Sequence, residues 1–124
     1  MNLWLAAASL LSLAICLLHV FAGGRVAAQP LLASDDLGFV AKQTNYYCWH
    51  LVTLAIAAMG LALGYVAWSP GAVELGWFAV GLASSFASWS LVLGMLRGCA
   101  YLALPQWMLF LAVVVPGVIG MVKL

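Results

Sequence analysis

The chain has 124 residues, of which 68% are apolar and 6% charged, and its formal net charge is +1. That composition is far from soluble usage and gives a nucleic-acid partner no basic surface to use. Three cysteines, Cys16, Cys48 and Cys99, share no motif spacing and do not read as a disulfide framework. Residues 3–22 carry no charged side chain and end at Gly23-Gly24, a natural helix stop. A run of about 20 apolar residues, at roughly 1.5 Å each, matches the hydrocarbon core of a bilayer. Val26-Ala27-Ala28 has the look of a leader cleavage site. No Lys or Arg precedes the apolar run, however, so it is read as a retained first span.

A polar connection is expected over 23–45, holding Pro30, Asp35 and Asp36, with Ser34 or Asp35 able to cap a helical piece carrying Leu37, Val40 and Ala41. That piece either lies at the interface or runs straight into the second span, which covers about 46–68. Ser69-Pro70-Gly71 then makes a tight turn, and the third span covers about 73–96. The short turn makes spans two and three an antiparallel hairpin. The fourth covers about 105–122, with Pro105 suited to its first turn and Pro116 expected to kink it. Gly117 and Gly120 would soften the same segment. The expected fold is all-α: one transmembrane domain over residues 1–124, an integral four-helix bundle. Arg25, Lys42 and Arg97 fall on one membrane side and Lys123 on the other. The positive-inside rule then favours 23–45 in the cytoplasm and both termini outside, with an inverted or dual arrangement as the alternative, and the expected location is a bacterial inner membrane.

The best candidate site is the pair His19 and His50, near the end of the first span and the start of the second. His19 shares a helix face with Ser9, Ser12 and Cys16, and His50 shares one with Tyr46, Thr53, Ala57 and Gly64. Should those faces meet, two imidazoles could ligate a haem iron, hold copper or zinc with Cys16 or Cys48, relay protons or bind a quinone-like head group. The plainer role for each is a hydrogen bond to a carbonyl, to water or to the other helix. Arg25, Asp35, Asp36, Lys42 and Arg97 form a candidate polar lid, although such residues more often solvate a loop, cap a helix or reach the head groups.

Tyr46, Tyr47 and Trp49 at the start of the second span, with Trp4, Trp68, Trp77, Tyr101 and Trp107, fit an aromatic belt at the span ends, while Trp89 lies deeper. Gly60 and Gly64 in the second span, and Gly81, Ser84, Ser85 and Ser88 in the third, are small-residue faces for close helix packing. They suit either contacts inside the monomer, above all within the hairpin of spans two and three, or contacts with another copy or membrane subunit.

His19 with Gly23-Gly24, and the run Tyr46-Tyr47-Cys48-Trp49-His50, resemble small four-span bacterial inner-membrane proteins in which one histidine closes the first span and another opens the second. No site residue follows from that resemblance. The multidrug exporters of similar size keep an acid in their first span, and residues 2–22 hold none. No catalytic motif is present, so the expected function is non-enzymatic: helix association in lipid, as a homo-oligomer or an accessory subunit of a larger complex. A haem, metal or quinone site at His19 and His50 is the alternative, and an oligomeric channel lined by Ser84, Ser85 and Ser88 is a further one.

Overall fold

The computed structural model describes residues 1–98 and 105–124; Cys99 and Tyr101 lie outside the described residues. Helix α1 (Leu3–Leu18) passes without a break into a π-helical segment (His19–Ala28) and then the short α2 (Gln29–Ala33). Together they make a continuous apolar helix of 31 residues, Leu3–Ala33. Helix α3 (Phe39–Trp68) has 30 residues, α4 (Val73–Arg97) has 25 and α5 (Gln106–Val122) has 17. The first three of these long helices have the length and composition to cross a membrane, and α5 is apolar but shorter. The protein is an all-α membrane bundle of four helices.

Two expected boundaries shift. Gly23-Gly24 does not stop the first helix, and the connection shrinks from 23–45 to 34–38. A glycine ends a helix by turning left-handed, and among the described residues only Gly98 does so, at φ 60, where it caps α4. The break falls instead at Ser34 and Gly38, both in extended backbone. The segment carrying Val40 and Ala41 therefore runs directly into the second span.

The helices stand in a ring: α1 packs on α3 and α5, and α4 packs on the same two. Asn2 ties one end of the ring. Its backbone N–H donates to the carbonyl of Ala67 at 2.8 Å, and its side-chain amide to that of Gly120 at 2.8 Å. Its Oδ1 also accepts from the N–H groups of Trp4 and Leu5, capping α1. One residue therefore joins three helices.

Between α1 and α3 runs a polar seam. Ser9 Oγ donates to the Gly60 carbonyl at 2.7 Å, Ser12 Oγ to that of Ile56 at 3.0 Å, and Cys16 Sγ to that of Thr53 at 3.7 Å. Such bonds in a membrane contribute about 0.6 kcal/mol each on average. They require close backbones, and Gly60 and Gly64 supply the approach. A Cβ on Gly60 would lie 2.9 Å from Leu13, and one on Gly64 would lie 2.9 Å from Ser9 Oγ. This small-residue pair thus serves the first helix, not the hairpin with the third as its position in the sequence suggests.

The core is built from Leu5, Ala8, Ile56, Met59, Leu63 and Val66 with Ala79, Val80, Ala83 and Val113. Gly117 and Gly120 work at close approaches rather than as soft points: a Cβ on either would meet Val80 or Leu5 below 3 Å. Pro116 sits half-buried inside α5, which continues on both sides of it.

Gly60→Leu should lower the stability of the folded chain by about 1–3 kcal/mol, because overpacking at a tight contact has no room to relax. Gly81→Leu, where no atom lies within 4 Å of the added carbon, should leave it unchanged. Unfolding by a graded denaturing detergent in mixed micelles measures both; equal losses would refute the seam.

Candidate functional site

The seam ends at His19. Its ring stacks on the indole of Trp49, with centroids 3.8 Å apart and planes at 17°. Its Nε2 lies 3.3 Å from the Trp49 carbonyl. A carbonyl only accepts, so Nε2 is the donor in this contact. Thr53 Oγ1 donates to the same carbonyl at 3.1 Å.

From His19 the helix changes form. The N–H of Gln29 bonds the carbonyl of Gly24, five residues back, which defines the π turn. Small residues accommodate the change: Gly23 lies against Trp49, and a Cβ there would come 2.8 Å from the edge of the indole. Single-turn π distortions are common at functional sites, and ten residues is long for one.

Two concavities flank this segment. The larger, about 650 Å³, lies among all four helices. Its inner wall is Ile15, Ile56, Phe86 and Phe110, the two phenylalanines meeting edge to face at 5.1 Å. Trp49 and Trp89 add aromatic surface, and His19, Ser90 and Gln106 bring polar atoms. The smaller, about 300 Å³, is a groove between the first helix and α3, lined by Arg25, Gln29, Tyr46 and His50 beside Val20, Phe21 and Leu32. Each of the ten π-segment residues lines one space or the other, and Trp49 lines both.

The candidate residues therefore separate. His19 lines the cavity and His50 the groove, where Tyr46 meets it edge-on at 4.6 Å. Cys16 is engaged in the seam, and Cys48 is exposed. Among the described residues, no group of three or more His, Cys, Asp or Glu is placed to hold a metal ion. Of the polar-lid residues, Arg25 lines the groove. Asp35 and Asp36 are exposed in the 34–38 turn, where Ser34 Oγ accepts from the Asp36 N–H; Lys42 is half-buried at the start of α3, and Arg97 is exposed at the end of α4.

The third-span small residues point away from the core. Gly81, Ser85 and Ser88 are exposed and Ser84 is half-buried, and the hydroxyls of Ser84 and Ser85 bond the carbonyls of Val80 and Gly81 in their own helix. The buried side of α4 is Gly76, Ala79, Ala83 and Ala87.

Residue-type reasoning missed Asn2, Trp49 and Gln106. A lone Asn before an apolar run is a cap signal that identifies the first. Trp49 is hidden among belt aromatics, and Gln106 becomes notable only once the cavity is known. No protein-family model matches the chain, and no curated protein or solved structure matches it significantly.

Gly23→Ala should force the indole off His19 and lower the thermal midpoint in detergent. Gly24→Ala, with open space around the added carbon, should leave the midpoint level or raise it slightly. A paired melting experiment reads the difference, and matching midpoints would count against the Gly23–Trp49 contact.

Proposed function

We propose that this membrane protein is a non-enzymatic binding protein whose interhelical cavity takes a flat, mostly apolar molecule from the bilayer, of the quinone type. The observation that carries this reading is the cavity of about 650 Å³, apolar and aromatic over most of its wall, with His19 and Gln106 among its few polar side chains. Ligand sites of this size commonly pair broad apolar walls with a few placed polar groups. A primary amide both donates and accepts, so Gln106 suits a ring oxygen in either its carbonyl or its hydroxyl form. Trp49, Trp89 and Phe110 suit a planar ring. Ligation of a haem by both histidines has no such support, because His50 belongs to the groove.

Menadione, a quinone that quenches tryptophan, is the direct probe. Saturable quenching is expected for the purified protein, and Gln106→Leu should weaken it about tenfold through one lost hydrogen bond. Quenching that rises linearly and equally in both would reflect partition into the micelle and would end this reading.

Association with a second copy or another membrane subunit is supported by a different observation. Gly81, Ser85 and Ser88 present a small outward face on α4 at helical spacing, with open space at Gly81. Ser85→Cys should form a disulfide-linked dimer in native membranes, and adding Gly81→Leu should reduce its yield. Absence of that dimer, with no larger adduct either, would remove association through this face. Arg25, Lys42 and Arg97 favour the cytoplasm of a bacterial inner membrane for the end that bears them, with both termini outside.

A further inference from the structure

The smaller groove has a chemistry unlike that of the cavity. Arg25 and Gln29 lie one turn apart on the first helix, and Tyr46 and His50 one turn apart on α3. A guanidinium, a primary amide, a phenol and an imidazole thus converge on about 300 Å³. All four can donate hydrogen bonds, and no carboxylate lines the space. The edge-on contact with Tyr46 holds the His50 ring in place.

The rest of the lining is apolar. Val20, Phe21 and Leu32 form the wall, and Phe21 is 67% exposed to the surroundings. Depth fixes what those surroundings are. At about 1.5 Å per residue, Arg25 stands roughly 33 Å along the helix from Leu3, close to the thickness of the hydrocarbon core. Arg25 therefore sits at head-group level, and Val20 and Phe21 lie just below it, beside acyl chains.

We infer that this groove holds one anionic phospholipid, its phosphate on Arg25, Gln29, Tyr46 and His50 and an acyl chain along Val20, Phe21 and Leu32. A planar guanidinium makes paired, charge-assisted hydrogen bonds to phosphate oxygens, and it is the strongest member of the set. A free phosphate ion would satisfy the donors equally well, but it would leave the apolar wall without a role. The lipid uses both halves. This site is independent of the quinone-type reading, since Trp49 separates the two spaces and no other residue lines both.

Native mass spectrometry of the detergent-purified full chain provides the test. Phosphatidylglycerol and phosphatidylcholine are added in equal amounts, and inorganic phosphate is titrated in a parallel series. One retained phosphatidylglycerol is expected, favoured over phosphatidylcholine by about tenfold, as loss of a charge-assisted contact implies. Arg25→Gln combined with His50→Gln should abolish the preference, whereas Arg97→Gln should keep it. Arg25→Gln alone answers the same question if the double variant loses its near-ultraviolet tryptophan signal. Equal retention of both lipids, or a preference that survives the loss of Arg25, would overturn the site. Displacement of the lipid by millimolar phosphate would assign the groove to a free anion instead.

Discussion

Everything in this fold depends on how α1 is fastened to α3 in a solvent that offers no help. Lipid tails are as apolar as leucine, so burying one helix against another releases no ordered water. What remains is close packing and hydrogen bonding. Ser9, Ser12, Cys16 and His19 follow one another at steps of three and four along the first helix, and each meets a carbonyl of α3. These carbonyls already serve their own helix, so a second donor reaches them only if the backbones nearly touch. Gly60 and Gly64 allow that approach, and Asn2 fixes the opposite end through Ala67 and Gly120. Removing the glycines would strand the hydroxyls, and removing the hydroxyls would leave the glycines a bare contact.

The functional features lie where this fastening stops. Past His19, a segment centred on Ala22, Gly23 and Gly24 takes up π geometry, and Trp49 fills the place that a side chain at Gly23 would need. The indole becomes a partition. On one side is a mostly apolar space among four helices, and on the other a groove that carries Arg25, Gln29, Tyr46 and His50. The two histidines, neighbours in depth, are thereby assigned to different surroundings.

Much of this was legible from residue order. Helical periodicity already places Ser9, Ser12, Cys16 and His19 on one face, and that face is the seam. The apolar runs give the four helices and their antiparallel order. Other features depend on atoms that periodicity does not see. Gly23-Gly24 has the composition of a stop, yet termination needs a left-handed residue, and neither glycine takes that conformation. Tyr46, His50, Thr53 and Gly64 share a stripe at 3.6-residue spacing, but the stripe divides: Thr53 and Gly64 face α1, while Tyr46 and His50 enter the groove. Gly81, Ser85 and Ser88 look like a packing face, and the alanines on the other side of α4 take that role. The cavity has no signature in the sequence because four separate helices contribute to its wall.

The unequal helix lengths bear on the surrounding lipid. Between Leu3 and Arg25, at head-group level, the first helix spans about 33 Å, whereas α5 as described has 17 residues, about 26 Å. Lipids beside the described α5 therefore meet a shorter apolar wall than those beside the first helix. The preferred bilayer thickness is consequently unequal around the bundle, smaller beside α5 than beside the first helix.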